Sequence, residues 1–318
     1  MPSTFFTEPP HFRWLIILYF FIGGISGGAL LLASLLRLFG TVEERPLVRL
    51  ASYLSLAGAV LSGILLIVDL GVPVRFWHML LQNHTWLPLL KWWSPMSVGV
   101  WGLLFFGLFA LLASLGAAYE DGALRWRALG YLAEDPLAIV GAIGGIIGGL
   151  FLAGYTGVLL AATNRPVWAD SAWLGILFLF SAGSTSAAAL LLLAWWRGVE
   201  RPGALAWLGR FDDWILLLEL ITLVIFVIAI GPAARVFLSA WGVLLVIGVL
   251  LIGILLPLAI GWGYLGGRRT DGAPARVWSF PAPVTAATLV LIGGFLLRVV
   301  VLLSSEQVRV VGTEVFRP

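Results

Sequence analysis

Apolar runs about twenty residues long recur along this chain, and they limit its folding choices more than any other feature. Eight are readable, over residues 14–38, 48–69, 95–118, 137–162, 170–195, 213–230, 240–264 and 282–303. Each lies between Pro, Gly or charged punctuation. A helix of this length crosses the roughly 30 Å hydrocarbon layer of a bilayer. In that layer every backbone polar group must be satisfied internally, which a helix does. The chain therefore reads as an all-α membrane protein with eight transmembrane helices. Its 318 residues are 61% hydrophobic and only 11% charged, against about 25% charged in soluble domains. Many of the 16 Trp residues flank the runs, as in the aromatic belts of bilayer interfaces. The net charge of +3 comes from scattered loop arginines. No basic cluster exists to hold phosphates, so the expected surroundings are lipid bilayer and not nucleic acid.

The runs form a single polytopic membrane domain with two similar halves. Residues 1–118 plus 137–162 make a first four-helix bundle, and residues 170–303 make a second. In span one, Phe21-Ile22-Gly23-Gly24-Ile25-Ser26-Gly27-Gly28-Ala29-Leu30 is similar to Phe180-Ser181-Ala182-Gly183-Ser184-Thr185-Ser186-Ala187-Ala188-Ala189-Leu190 in span five. Gly71 and Arg75 recur as Gly231 and Arg235, and Trp101-Gly102 recurs as Trp241-Gly242. The partners are four spans apart and cross the membrane in the same sense, which fits a degenerate parallel repeat. Chance similarity among Leu- and Gly-rich helices is the competing explanation. Span four carries Gly141, Gly144, Gly145, Gly148 and Gly149, small residues that let helix backbones approach closely in lipid.

Lys and Arg set the orientation. The loops after spans one, three, five and seven hold 11 of them: Arg37, Arg45, Arg49, Arg125, Arg127, Arg197, Arg201, Arg210, Arg268, Arg269 and Arg276. The other side holds 7: Arg13, Arg75, Lys91, Arg165, Arg235, Arg309 and Arg317. The positive-inside rule then puts both termini and the 70–94 loop outside the cytoplasm. The first twelve residues, with Glu8 and Pro9-Pro10, lack the basic segment of a cleavable signal. The 70–94 loop carries Arg75, His78, Gln82, Asn83, His84 and Lys91 among Phe76, Trp77, Trp86, Trp92 and Trp93. Its length and polarity read as a lid or docking surface.

Helical rise gives each polar residue a depth. Tyr19 in span one and Tyr155 in span four fall roughly 10–12 Å below the extracytoplasmic end. Asp69 closes span two just before Gly71 and Pro73 break the helix. Arg298 lies about 9 Å into span eight. The four share one layer, with Arg75 within reach of Asp69. An intramembrane acid is a functional candidate by default, although a helix-end acid can also snorkel to water or pair with Arg75. Glu219, read as near the cytoplasmic start of span six, either lines a proton path or makes a structural hydrogen bond to Thr222.

Absences narrow the chemistry. Without Cys the chain holds no disulfide and no iron–sulfur cluster of its own. His11, His78 and His84 lie outside the spans or at their ends, so no pair of imidazoles faces across helices to hold a haem. No phosphate loop, zinc pattern or nucleophile elbow is present. Any redox work needs an organic carrier from the membrane and electrons from a partner.

The chain resembles the NrfD and PsrC family, the membrane subunits of polysulfide reductase-like and nitrite reductase-like complexes, also found in alternative complex III. The resemblance runs through Tyr19 to Leu31, Asp69-Leu70-Gly71-Val72-Pro73-Val74-Arg75-Phe76-Trp77 and Ser94-Pro95-Met96. It continues in Tyr155-Thr156-Gly157-Val158-Leu159-Leu160, Arg165-Pro166-Val167-Trp168 and Leu177-Phe178-Leu179-Phe180-Ser181-Ala182-Gly183-Ser184-Thr185. Glu219, Leu256-Pro257 and Gly293-Gly294-Phe295-Leu296-Leu297-Arg298 complete it. It implies a quinone site near the extracytoplasmic face of a bacterial cytoplasmic (inner) membrane protein. A ferredoxin-like iron–sulfur subunit would dock there, beside a molybdopterin-type subunit. The family's quinone-contacting tyrosine of span four falls on Tyr155. Where polysulfide reductase has a span-one His, with an Asn one turn earlier, this chain has Tyr19 and Ile16. Tyr19 donates a hydrogen bond but does not titrate near neutral pH as His does.

The expected function is that of a quinone-reactive membrane subunit of an oxidoreductase complex, inactive alone and using menaquinone or ubiquinone. Tyr155 and Tyr19 would be donors to the quinone, Asp69 the catalytic proton exchanger, and Arg75 or Arg298 its charge partner. Trp77 and His78 would close the pocket, and Asp69, Glu219 and Arg298 would carry protons. The alternatives are a proton-translocating or transport element, or a plain membrane anchor, without its own quinone site.

Overall fold

Each apolar run is helical in the computed structural model, which describes residues 14–82, 84–133, 136–199, 201–263, 282–308, 310–311 and 314–315. Arg13, Arg268, Arg269, Arg276, Arg309 and Arg317 of the orientation tally lie outside the described residues, as do His11 and Asn83. Spans one to five are Trp14–Phe39, Arg45–Asp69, Pro95–Glu120, Leu137–Ala161 and Trp173–Trp196. Span six is Pro202–Ala229, span seven Ala240–Gly261 and span eight Ala282–Ser304. Seven of these helices are long and apolar enough to cross a membrane on their own. The eighth, span six, qualifies together with Gly231–Leu238, from which it is bent by 106°. The protein is a multi-pass helical membrane protein.

The helix ends follow local chemistry. Ser94 caps span three by accepting a hydrogen bond from the Ser97 amide, and Pro95 stands in the first turn, where its missing N–H is harmless. Span two ends at Gly71, whose φ of +67° is open to Gly at no steric cost. A 3-10 turn over Pro73–Met79 follows. Span six ends in the same way at Gly231, φ +54°, with a 3-10 segment over Gly231–Leu238. Span seven has an unusual middle: Leu244–Leu255 is wound as a π-helix just before Pro257.

Span six differs from its sequence reading. It starts at Pro202, not near 213, because Arg210, Asp212 and Asp213 continue the helix instead of breaking it. Asp212 is 8% exposed, so its carboxylate faces packed helix and not a loop. Glu219 therefore sits ten residues from the Ala229 end, about 15 Å along the axis and near mid-membrane.

Spans one to four pack in a ring, each on the next, and span four returns to span one. Spans five to eight do the same. The rings meet mainly through span five, which lies on spans one and four. Small residues permit this. A Cβ on Gly27 would lie 2.9 Å from the Ala153 backbone nitrogen of span four, and one on Gly28 would lie 2.6 Å from the Ala182 carbonyl of span five. Adjacent glycines thus seat span one against both rings, in lipid where close packing is what holds helices together. On the Arg37 side, Arg37 pairs with Glu120, and Arg49 with Asp121 at 2.5 Å. On the opposite side Trp168, 1% exposed, donates its indole N–H to the Val301 carbonyl at 2.7 Å, tying the loop between spans four and five to span eight.

Candidate functional site

On the side of the membrane that carries Asp69, Tyr19 anchors a cluster of hydroxyl side chains. This tyrosine is 3% exposed, one turn above Gly23 in span one. A Cβ on Gly23 would touch both the Tyr19 ring and the Ser62 hydroxyl of span two, each at 3.5 Å. Ser62 is fully buried and its hydroxyl has no hydrogen-bond partner among the described residues. Among the described residues no hydrogen bond reaches the Tyr19 hydroxyl either. A buried hydroxyl normally finds a partner, because leaving it without one costs roughly 1–3 kcal/mol.

Tyr155 lies near Tyr19, on span four where that helix packs against span one. Its hydroxyl donates to the Pro95 carbonyl of span three at 2.7 Å, and its ring stacks on Phe151 at 5.1 Å and 17°. Gly99 makes room for it: a side chain there would overlap the Tyr155 ring and hydroxyl. Four spans thus contribute to this group of two tyrosines and one orphaned serine.

Asp69 is the last residue of span two and is half-buried. Arg75 is exposed, and among the described residues the two form no ion pair. The turn at Gly71 carries the chain away before Arg75 is reached. Trp77 stacks on Trp86 at 5.0 Å with the rings 2° from parallel, and meets His78 at 3.8 Å with the rings tilted by 54°. His78 Nε2 is enclosed and has no hydrogen-bond partner among the described residues. The loop folds back on itself, with Gln82 donating to the Leu87 carbonyl, and is strapped to span three through the Leu89 carbonyl. That carbonyl accepts from Ser97 Oγ at 3.3 Å and from Trp101 Nε1 at 3.2 Å.

Arg298 does not join Asp69. It is 1% exposed and donates to Ser181 Oγ at 2.8 Å and to the Gly294 carbonyl at 2.6 Å. Its guanidinium lies between the Phe21 and Phe178 rings, 5.7 and 5.4 Å from their centroids. Ser181 stands one helical turn before Ser184 on span five. Glu219 accepts from Ser184 Oγ at 2.8 Å. Spans five, six and eight therefore meet through the Arg298–Ser181 and Glu219–Ser184 bonds, separate from the tyrosine cluster. Thr222 does not bond to the Glu219 carboxylate; its hydroxyl donates to the backbone carbonyls of Leu218 and Glu219. Two turns away on the same helix, Asp212 leaves Oδ1 buried and without a hydrogen-bond partner among the described residues.

Sequence reasoning assigns no role to Ser62, Ser181, Ser184, Phe151 or Asp212. Ser181 and Ser184 are three apart, a spacing that puts both on one helix face. Ser62 is seven residues from Asp69, on the same face of span two. Asp212 reads in sequence as loop punctuation.

The comparisons with known proteins fit this architecture. The family described as "Polysulphide reductase, NrfD" matches residues 3–310. The chain belongs to the NrfD family. One relative is "Protein NrfD" of Escherichia coli (strain K12), 30% identical over 208 residues, which are 60% of this chain and 62% of that protein. Another is a selenate reductase subunit of Mesobacillus selenatarsenatis, 26% identical over 99 residues, 31% of this chain and 21% of that protein. The chain thus spans less than two thirds of the length of either relative.

Proposed function

We propose that this NrfD-family chain is the quinone-reactive integral subunit of an oxidoreductase complex in a bacterial cytoplasmic membrane. It exchanges electrons between menaquinone or ubiquinone and an extracytoplasmic iron–sulfur partner of ferredoxin type, itself beside a molybdopterin-type subunit. The observation that carries this reading is the buried Ser62 hydroxyl, left without a partner among the described residues, next to the buried Tyr19 ring and near Tyr155. A quinone carbonyl oxygen is an acceptor that would satisfy such a donor, and leaving it without a partner is costly. Tyr155 already donates to Pro95, so its oxygen is placed to accept from a quinol hydroxyl. Asp69 and the enclosed His78 nitrogen lie on the same side, as groups that exchange the protons quinone chemistry moves. Trp77 closes the loop above, and the exposed Arg75 belongs to the docking face rather than to Asp69. The name of the selenate reductase relative supports the assignment to a reductase complex.

The positive-inside bias supports placing the Asp69 side, with both termini, outside the cytoplasm. The two helix rings read as copies of one four-helix unit, a reading supported by the matched turns at Gly71 and Gly231. A second role, proton handling, is favoured by the buried Glu219–Ser184 and Arg298–Ser181 contacts near mid-membrane, since buried intramembrane charges mark proton relays.

The test is the affinity of the purified complex for a quinone analogue, compared with its Tyr19→Phe form. Loss of the donor is expected to weaken binding about tenfold. Equal affinity in both would remove the tyrosine cluster as the site.

A further inference from the structure

We infer that the apolar cleft between spans three and four is the channel for the isoprenoid tail of the quinone, and the route by which it enters from the bilayer; this rests on the quinone reading above. The cleft has a volume of about 350 Å³. Its walls are Val98, Trp101, Gly102 and Phe105 of span three, and Ile147 and Phe151 of span four, under Leu90 of the loop. Every one is apolar or aromatic. Val98 and Phe105 lie three and ten residues below Pro95, so the cleft runs from about 5 to 15 Å into the hydrocarbon. Ile147, Phe105 and Leu90 are exposed on its lipid side. A polar molecule would find no partners there, so the occupant is a hydrocarbon chain.

The back wall decides which hydrocarbon. It is Phe151, whose other neighbour is Tyr155, stacked at 5.1 Å. The two rings are seated by one device. Gly99 of span three gives way to Tyr155, and three residues on Gly102 gives way to Phe151; a Cβ at either glycine would overlap the ring opposite. The contact for a head group and the contact for a chain are therefore consecutive turns of the same helix pair. Trp101 fits this arrangement. Its N–H is taken by the Leu89 carbonyl, so the polar end holds the loop and the ring body faces the cleft. An ordinary lipid acyl chain would need the cleft but not the phenol stacked on its wall. A polyprenyl quinone needs both. The tail gains no hydrophobic energy on leaving lipid for the cleft, so selection rests on packing against these walls.

The experiment measures binding to the purified complex of two quinones with the same head group, one with a long isoprenoid tail and one without. The variants are Ile147→Phe and Val98→Phe. Ile147 is exposed on the lipid side, so its variant adds volume outside the packed core, and recovery of assembled complex checks folding. The expected result is a dissociation constant for the long-tailed quinone raised about tenfold by overfilling the cleft, with the tail-less quinone unchanged. Tyr155→Phe would weaken both. Equal loss for both quinones in the cleft variants, or no loss in either, overturns the channel while leaving the head-group site standing. Failure of the unaltered complex to bind either quinone overturns the quinone reading and the channel with it. Labelling of the cleft by a photoreactive phospholipid, undiminished by saturating long-tailed quinone, would assign the cleft to lipid and likewise overturn the proposal.

Discussion

Replacing Arg298 by Met should destabilise the protein strongly, and removing the charge of Glu219 as well should recover most of the loss. Arg298 makes two hydrogen bonds, to Ser181 Oγ and the Gly294 carbonyl, and is sandwiched by Phe21 and Phe178. Through Ser181 and Ser184, one turn apart on span five, it is linked to Glu219, which is itself only 3% exposed. Breaking a buried charge pair by removing one member typically costs 3–5 kcal/mol, because the other charge is left uncompensated. Arg298→Met is therefore expected to lower stability by about 3–5 kcal/mol. Glu219→Gln in the same chain keeps the shape of the side chain and an oxygen for Ser184 while removing the stranded charge. The double variant should then lie within about 2 kcal/mol of the starting protein. The coupling would be read by a double-mutant cycle of unfolding in detergent, with each single variant measured alongside. Additive losses in the double variant would refute the pairing of Arg298 with Glu219.

Two further outcomes are expected. Asp69→Asn should abolish quinol turnover while leaving the complex assembled in the membrane, followed by activity and by recovery of the intact complex; loss of assembly would make Asp69 structural. Gly99→Ala should weaken quinone binding about as much as Tyr155→Phe does, because its methyl would displace the tyrosine ring; unchanged affinity with an unaltered fold would show that the ring position does not matter.

The eight spans are readable in the sequence because each is a long apolar run between breakers, and hydrocarbon enforces helices. Depth is readable too, from residue counts, and it brings Tyr19 and Tyr155 to one level. Azimuth is not. Arg298 and Asp69 lie within one turn or two of the same surface, but rotation about the helix axis turns Arg298 toward Ser181. Which neighbour a side chain meets depends on how small residues such as Gly24, Gly27 and Gly28 set the helices against one another, and a single sequence does not carry that. The start of span six is misplaced by the sequence for a related reason. Arg210, Asp212 and Asp213 look like a loop, yet Asp212 is enclosed by packed helix. Ser62 and Ser181 do not stand out because serine in a membrane helix is common, and its usual role is to bond its own backbone.

The most direct test of the account is quenching of the protein's tryptophan fluorescence by a quinol analogue, titrated into the purified complex. Trp101 lines the cleft, and Trp77 and Trp86 stack in the loop on the same side of the membrane. The account predicts saturable quenching that the Tyr19→Phe, Tyr155→Phe double variant abolishes. Saturable quenching indifferent to both tyrosines, or none at all in a folded and complete complex, would contradict it.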